Sequence, residues 1–338
     1  MSNGMDRPLI VALAGPTGVG KTSLALHLAK KLDGELISCD SVQIYRHLNI
    51  GANKHISSKD EPPQHLVDII EPNTEFSVGH YLDICTRVIN DVLKKRKVPV
   101  LVGGTGLYFD WILNGAREAP KVSDEFLIRA KEIISNHNDW NTSFMYLHNL
   151  DQKYAETLRK NDFYRLTKGI GFYLEYNEKI SSFCRREPHF SQAKWKCIYL
   201  ACDREQLFRL LDSRCIEMIA SGIVEEVIEL LECGKMSTDS SAARSIGYKE
   251  SIDFIKGLRS QGANLDSLFL KFINEFMSAT RQYARKQETW FANQLGEKFK
   301  WFDRGDPRFP IHEEILSNIL SYILCPDDVI WEDRSRNT

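Results

Sequence analysis

The residues with the most specific chemistry form a glycine-rich loop near the start of the chain. An apolar run at 9–14 leads into segment 15–22, which reads Gly-Pro-Thr-Gly-Val-Gly-Lys-Thr, and a helical repeat of leucine and alanine follows. This pattern is that of a phosphate-binding P-loop in its expected context. In such a loop, backbone N–H groups turn toward a diphosphate or triphosphate, the lysine reaches its outer oxygens, and the threonine hydroxyl holds a magnesium ion. The predicted polyphosphate ligands are Gly15, Thr17, Gly18, Val19, Gly20, Lys21 and Thr22, with Mg2+ at Thr22.

The residues at the ends of the next predicted strands limit which reactions the P-loop can support. A P-loop protein that hydrolyses nucleotides usually holds its magnesium with an acid at the end of a second apolar strand. The strand predicted at 98–102 ends instead in the turn 103–106, which reads Gly-Gly-Thr-Gly, and no carboxylate follows it. A second apolar run, 197–202, does end in an acid, Asp203. The kinase or ATPase interpretation is therefore weakened but stays open.

A carboxylate lies at the end of another predicted strand. Residues 35–39 form an apolar run that ends in Asp40 and Ser41. In an open parallel sheet, ligands bind outside the carboxyl ends of the strands, so Asp40 is expected beside the P-loop. Asp40 either caps the turn that follows it or acts as a base for a nucleophile that attacks the carbon attached to the phosphate. The residues alone leave both interpretations open.

The order of predicted elements indicates an α/β fold with one domain inserted into another. We expect a doubly wound parallel sheet that carries the P-loop, interrupted by a mainly helical domain and completed by a helical C-terminal part. The predicted boundaries are 8–118 for the first part of the core, 119–195 for the insertion, 196–302 for the second part of the core, and 303–338 for an acidic C-terminal tail.

Composition indicates an intracellular protein and a local basic surface. The eight cysteines contain no Cys-x-x-Cys pair, and no signal peptide or membrane-spanning run is visible, so we expect a cytoplasmic enzyme, with an organelle left open. The formal net charge of −2 is unusual for a protein that binds RNA. However, residues 151–196 carry ten Lys or Arg against six Asp or Glu, whereas 301–338 carry four against eight. The basic stretch could contact an RNA backbone, or it could be an ordinary solvated face.

Five segments, in order and spacing, resemble the tRNA dimethylallyltransferases. They are 15–22, the segment 37–45 that reads Ile-Ser-Cys-Asp-Ser-Val-Gln-Ile-Tyr, the segment 102–108 that reads Val-Gly-Gly-Thr-Gly-Leu-Tyr, the segment 244–249 that reads Arg-Ser-Ile-Gly-Tyr-Lys, and 280–291. The resemblance runs from about residue 8 to about residue 302. A lone P-loop is common to many families, but five ordered motifs are not.

The resemblance implies that the P-loop holds dimethylallyl diphosphate, whose five-carbon group passes to the exocyclic amine of an adenosine beside the tRNA anticodon. Asp40, Thr105 and Arg244 take the positions of the family's catalytic residues. The inserted domain would bind tRNA, and the enzyme would be a monomer that uses Mg2+. The positions that the resemblance assigns to tRNA are Ser41, Val42, Gln43, Arg165, Lys168, Tyr248, Arg281, Gln282, Lys286 and Gln287.

One segment departs from the family pattern. Within 161–171, Arg165 is retained, but Lys168 stands where the family has a second arginine and Gly171 where it has a glutamate. Lysine keeps the charge without the bidentate fork of arginine. Two glycines in a predicted helix also cost stability, on the order of 1 kcal/mol each. The departure concerns the contacts with RNA and not the residues of the transfer reaction.

Three other functions stay open on the sequence. An adenylate isopentenyltransferase, which makes cytokinin from free AMP, ADP or ATP, would share the P-loop and the aspartate. A P-loop small-molecule kinase would share the P-loop alone. A non-catalytic RNA-binding module would not need Lys21, Thr22, Asp40 and Arg244 intact.

Overall fold

The chain folds into two compact units, one of them inserted into the other. The computed structural model describes residues 7–55, 58–116, 119–137, 139–183, 185–259 and 264–326. The larger unit comprises the residues up to Asp110 and those from Phe190 onward, and the smaller unit is Trp111–His189. The smaller unit thus begins eight residues before the predicted insertion at 119–195 and ends six residues before it does. Its first boundary falls inside the helix Gly106–Asn114, where no loop marks it in the sequence.

Six parallel strands form one sheet in the larger unit. They are β1 (Leu9–Ala14), β2 (Gly34–Cys39), β3 (Gln64–His65), β4 (Val98–Gly103), β5 (Lys194–Ala201) and β6 (Lys300–Asp303). Their order is β3-β2-β4-β1-β5-β6, so the chain moves to one side of β1 first and to the other side after the insertion. This is the predicted doubly wound arrangement, in which a crevice opens where the strand order reverses.

Twelve α-helices accompany the strands among the described residues. They are α1 (Lys21–Leu32), α2 (Val78–Lys94), α3 (Gly106–Asn114), α4 (Asp124–Asn136), α5 (Trp140–Leu150), α6 (Gln152–Ala155), α7 (Phe163–Tyr176), α8 (Arg204–Ala220), α9 (Ile223–Glu232), α10 (Tyr248–Leu258), α11 (Leu265–Leu295) and α12 (Glu313–Leu324). No helix of the described part of the chain is both long and apolar enough to cross a membrane.

The central strands read as continuous apolar runs because both of their faces are covered. Every residue of β2, and all but the first of β1 and β4, is buried. The register pairs Ala14 with Gly103, and Cys39 with the same Gly103, so three strands end side by side. The loops that follow them, which start at Gly15, Asp40 and Gly104, are therefore brought to one edge of the sheet.

The C-terminal segment belongs to the core of the larger unit. Strand β6 pairs with β5, and Ile319 and Ile323 of α12 are fully buried in the same apolar cluster as Val11 and Leu13 of β1. The prediction of a separate acidic tail is therefore wrong for residues 303–324. It was based on charge, whereas α12 is amphipathic and its acids begin the helix, where they interact favourably with the helix dipole. The rest of that predicted tail, 327–338, lies outside the described residues.

The smaller unit has its own core, and its glycines have a packing role. Leu147, Leu166 and Ile170 are fully buried where α5 and α7 meet. A Cβ atom on Gly169 would lie 2.9 Å from the methyl groups of Leu147, and one on Gly171 would lie 3.1 Å from the carbonyl oxygen of Phe126 on α4. The two glycines that weaken α7 as a helix thus let α4 and α5 approach it closely.

The position of α12 predicts a difference between two truncations on one helix. Ile319→Ala removes a fully buried side chain from the core and should lower the free energy of unfolding by about 2–4 kcal/mol. Leu324→Ala, at a position 64% exposed at the end of the same helix, should change it by less than about 0.5 kcal/mol. Urea unfolding followed by circular dichroism measures both, and equal small losses would show that α12 is not part of the core.

Candidate active site

The P-loop is built by glycines that no other residue can replace without strain. It joins β1 to α1, and Gly18 and Gly20 have φ values of +82° and +90°, in the left-handed region. A Cβ atom on Gly15 would lie 2.6 Å from the carbonyl oxygen of Leu200 on the neighbouring strand β5. Helix α1 then begins without a side-chain cap and without an acid in its first turn. Its first N–H groups are left available to an anion.

Lys21 is the first residue of α1, and its ammonium group is held back against the loop. Its Nζ atom donates a hydrogen bond of 2.7 Å to the carbonyl oxygen of Pro16. Desolvation by the surrounding protein lowers the pKa of Lys21 to about 8, helped by the positive charge of Arg214 and opposed by the negative charge of Asp40. The site therefore disfavours this positive charge until an anion arrives.

Arg214, on α8, is a site residue that the sequence analysis did not identify. Its Nη1 atom lies 3.5 Å from the hydroxyl oxygen of Thr17 in the P-loop, and burial lowers its pKa. Its Nε atom is buried and has no hydrogen-bond partner among the described residues. The available signal was its spacing, because Arg214 shares a helix face with Leu207, Leu211 and Met218, where a charge is otherwise out of place.

Asp40 lies at the end of β2, and its two carboxylate oxygens have different environments. Oδ1 accepts hydrogen bonds from the backbone N–H groups of Val42, at 2.8 Å, and Gln43, at 3.2 Å. No donor among the described residues hydrogen-bonds to Oδ2. Asp40 thus caps the turn, as one interpretation predicted, and keeps a free oxygen at the cavity, as the other required.

The glycine turn after β4 is fastened to the end of β2. The hydroxyl oxygen of Thr105 accepts a hydrogen bond of 3.1 Å from the backbone N–H of Ser41, and the N–H of Thr105 donates to the carbonyl oxygen of Cys39 at 3.2 Å. A Cβ atom on Gly103 would lie only 2.1 Å from that same carbonyl oxygen. The glycine at 103 is therefore required by the close approach of the two strands, and Thr105 is held next to Asp40.

Helix α11 closes the site with two residues one turn apart. Gln287 is only 6% exposed, and its amide accepts a hydrogen bond of 2.9 Å from the N–H of Thr17 and donates one of 3.0 Å to the carbonyl oxygen of Gly104. Tyr283 faces the cavity beside Thr105, and burial, together with the nearby charge of Asp40, raises its pKa. Gln287 therefore ties the P-loop to the glycine turn. Tyr283 was not identified from the sequence, although it lies inside the motif 280–291.

Lys21, Asp40, Arg214 and Tyr283 face one cavity of about 1050 Å³ in the larger unit, whereas Thr105 and Gln287 are not part of its lining. Its lining includes four cationic residues, Lys21, Lys30, Arg214 and Arg244, and Asp40 is the only acid among the described residues that line it. A cavity with this charge suits a polyanion with one carboxylate beside it. Ser41, Val42 and Gln43, which were predicted to contact tRNA, also line it.

Two other predicted residues of the larger unit have partners that the sequence could not show. The guanidinium group of Arg244 donates to the carbonyl oxygen of Asp239 and, at 2.9 Å, to the hydroxyl oxygen of Ser241. Tyr248 is fully buried, and its hydroxyl donates a hydrogen bond of 2.7 Å to Glu226. Contact of Arg244 with a diphosphate stays a prediction, and so does contact of Tyr248 with tRNA, which its burial does not favour.

The remaining positions predicted to contact tRNA lie in both units. On α11, Gln282 and Lys286 are exposed, whereas Arg281 forms an ion pair with Asp212, and Gln287 is taken up by the bonds described above. In the smaller unit, Arg165 and Lys168 are exposed on α7, and the Lys168 ammonium lies 5.5 Å from the ring centroid of Tyr164, which is 72% exposed. Their contacts with tRNA stay predictions.

The site can be compared with those of known proteins through sequence and fold. A family model described as IPP transferase matches residues 43–294, and one described as isopentenyl transferase matches residues 8–61. The chain is 30% identical to tRNA dimethylallyltransferase 9 of Arabidopsis thaliana, over 89% of this chain and 73% of that protein. It is 32% identical to the tRNA dimethylallyltransferase of a Thermoanaerobacter species, over 93% of this chain and 97% of that protein.

A solved structure extends the likeness to the whole fold. The structure of a eukaryotic dimethylallyltransferase acting on tRNA superposes with a TM-score of 0.70 at 25% identity, over 88% of this chain and 74% of that one. The resemblance seen in the five motifs is therefore confirmed by matches that span most of the chain. The chain belongs to the IPP transferase family, the family of the tRNA dimethylallyltransferases.

Proposed function

We propose that this chain transfers the dimethylallyl group of dimethylallyl diphosphate to the exocyclic amine (N6) of the adenosine on the 3′ side of the anticodon in tRNA. The observation that carries the proposal is that the P-loop, with the uncapped N-terminus of α1, and the free oxygen of Asp40 face one cavity. The two relatives described above are named tRNA dimethylallyltransferases, and one solved relative is described as a dimethylallyltransferase acting on tRNA. A kinase is not favoured, since β4 ends in glycine rather than an acid, and Asp203, which follows β5, caps α8 and does not line the cavity.

The P-loop half of the site would stabilise the leaving group. As the bond between the allylic carbon and the diphosphate oxygen breaks, negative charge grows on the diphosphate. The ammonium group of Lys21, the guanidinium group of Arg214 and the free N–H groups of α1 are placed to stabilise it. Arg244 could join them by exchanging its bonds to Asp239 and Ser241 for the diphosphate.

The residues of the P-loop also fit a magnesium ion. No group among the described residues hydrogen-bonds to the hydroxyl of Thr22, which lines the cavity beside Lys21. Magnesium prefers hard oxygen ligands and is usually held by one or two protein oxygens together with phosphate and water, so Thr22 would be its protein ligand. When bound, the ion would neutralise part of the diphosphate charge.

The Asp40 half of the site would act on the acceptor. The N6 nitrogen of adenine attacks the allylic carbon, a new N–C bond forms as the C–O bond breaks, and one N6 proton passes to Oδ2 of Asp40. The other oxygen is already held by Val42 and Gln43, which orients the carboxylate. The hydroxyl oxygen of Thr105 accepts from the N–H of Ser41, and its proton would turn from its long contact with the hydroxyl of Ser41, at 3.5 Å, toward the bridging oxygen of the diphosphate.

The smaller unit provides residues that would hold the tRNA. The exposed Arg165 and Lys168, beside the exposed ring of Tyr164, provide charge for the backbone and a surface on which a base can stack. These residues have no use for a free nucleotide, which favours tRNA over AMP as the acceptor. A monomeric state and a cytoplasmic location remain part of the proposal.

The two roles of Asp40 predict that its asparagine variant separates chemistry from folding. Asp40→Asn keeps an oxygen that can accept from Val42 and Gln43, so the turn should stay folded, but it removes the base. Single-turnover transfer from labelled dimethylallyl diphosphate to tRNA should slow by about two or more orders of magnitude. Asp33→Asn, at an exposed aspartate, serves as the control. A rate for Asp40→Asn within a few-fold of the parent would remove Asp40 from the role of base.

The pKa of Lys21 predicts how diphosphate affinity depends on pH. Below about pH 8 the free site carries the ammonium group, and bound diphosphate favours that charged form. As pH rises above about 8, the affinity for inorganic pyrophosphate should fall by up to about tenfold per pH unit. Isothermal titration calorimetry measures the pyrophosphate affinity of the parent and of Lys21→Met at each pH. The ratio of the two affinities is independent of the ionisation of pyrophosphate, because the same ligand is used for both proteins. A constant ratio of their affinities between pH 7 and pH 9.5 would contradict this prediction.

Charge reversal in the smaller unit tests the acceptor. Arg165→Glu together with Lys168→Glu should raise the KM for tRNA roughly tenfold or more, because phosphate contacts are lost, while the KM for dimethylallyl diphosphate stays near the parent value. The matched control is Lys94→Glu with Lys271→Glu, which reverses two charges that are 77% and 68% exposed in the larger unit. If AMP is modified as efficiently as tRNA and the first double variant loses nothing, the protein makes a cytokinin instead.

A further inference from the structure

A buried arginine lies behind the P-loop and contacts its backbone. Arg304 follows β6 directly, is 4% exposed, and forms no ion pair with any described Asp or Glu. The two acids nearest in sequence have other partners: Asp303 accepts a hydrogen bond from the N–H of Gly305, and Asp306 is bound through both oxygens to Arg308. The Nε atom of Arg304 is buried with no hydrogen-bond partner among the described residues. A guanidinium group keeps its charge even when buried, and the nearby charge of Asp306 is shared with Arg308, so the positive charge of Arg304 is compensated only in part.

The contacts of Arg304 connect that charge to the phosphate-binding backbone. Its Nη1 atom donates a hydrogen bond of 3.3 Å to the carbonyl oxygen of Val19, and its Nη2 atom donates to the carbonyl oxygen of Phe309. Its own backbone N–H donates to the carbonyl oxygen of Ala201 at 2.9 Å, which extends the pairing of β5 and β6. The side chain therefore reaches the P-loop from a rigid part of the sheet.

The geometry of a peptide unit shows what this contact does. The C=O and N–H of a trans peptide point in opposite directions, so a Val19 carbonyl held by Arg304 turns the N–H of Gly20 the other way. Gly20 lines the cavity, whereas Val19 is fully buried, and no acceptor among the described residues bonds to the N–H of Gly20. A Cβ atom on Gly20 would lie 3.2 Å from Nη1 of Arg304, which shows how closely the guanidinium packs beneath the loop.

We propose that Arg304 is a positioning residue of the diphosphate site: it anchors the Val19 carbonyl, so that the N–H of Gly20 points at the diphosphate, and its buried charge is compensated when the diphosphate binds. The inference rests on the proposed function, in which the P-loop holds a diphosphate. Arg304 lies outside all five motifs, yet the proposal gives it a part in diphosphate binding by the P-loop at the other end of the chain.

Calorimetry with inorganic pyrophosphate and two substitutions tests the role. Arg304→Met keeps the length and packing of the side chain but removes the charge and donors, and it should raise the dissociation constant about tenfold or more. Arg304→Lys, which can still donate to Val19, should give an intermediate value. The matched control is Arg308→Met, which removes a partly exposed arginine that is paired with Asp306 in the same segment, and it should bind as the parent does.

Kinetics and thermal unfolding distinguish positioning from simple loss of stability. The KM for dimethylallyl diphosphate should rise in Arg304→Met while the KM for tRNA stays unchanged. Pyrophosphate should raise the melting temperature of the parent more than that of Arg304→Met, and Arg304→Lys should recover part of the difference. If Arg304→Met does not fold, the dissociation constant and melting temperature of Arg304→Lys test the positioning role. Pyrophosphate affinity equal to that of the parent in both variants would overturn the role of Arg304. A parent protein that binds no pyrophosphate would overturn the diphosphate assignment itself.

Discussion

Positive charge gathered around a single short loop is the constraint on which the rest of this structure depends. The Lys21 ammonium and the Arg214 guanidinium face the same cavity, and burial lowers the pKa of each. Helix α1 adds its uncapped N-terminus. Such an arrangement is unfavourable when it is empty and favourable when it surrounds a polyanion. The free energy that it costs must be supplied by the core beneath it, which includes the buried sheet and α12.

The backbone of the site is held by bonds between distant parts of the chain. Gln287 bonds to the N–H of Thr17 and to the carbonyl oxygen of Gly104, so one buried amide joins two loops that follow different strands. Thr105 joins the second of these loops to the end of β2. A buried polar group that lost its partner would destabilise the fold, so the same bonds that satisfy these groups also restrict the positions of the loops. The distance between the P-loop and Asp40 is thereby limited by the architecture.

Asp40 has one oxygen that serves the fold and a second that the proposed reaction would use. A carboxylate has two oxygens, and here Oδ1 receives both backbone N–H groups of the turn while Oδ2 remains free among the described residues. Capping orients the carboxylate, and an oriented base is more useful than a mobile one. The capping interpretation of this residue therefore does not exclude the base, which stays a prediction. The glycines of α7 are similar, because their cost to the helix accompanies the close packing of α4 and α5.

The sequence by itself determined the P-loop, the parallel α/β fold, the family and the placement of Asp40 beside the loop. These features depend on local patterns, namely glycine spacing, apolar runs and strand ends, which can be recognised without knowing the partners of any residue. It could not show that Arg214 and Tyr283 face the cavity, that Gln287 and Tyr248 are buried in structural bonds, or that α12 belongs to the core. Only the tertiary structure decided these points, because each depends on contacts between residues far apart in the chain. Arg304 is the clearest case, because the role proposed for it depends on its hydrogen bond to the carbonyl oxygen of Val19, 285 residues away in the chain.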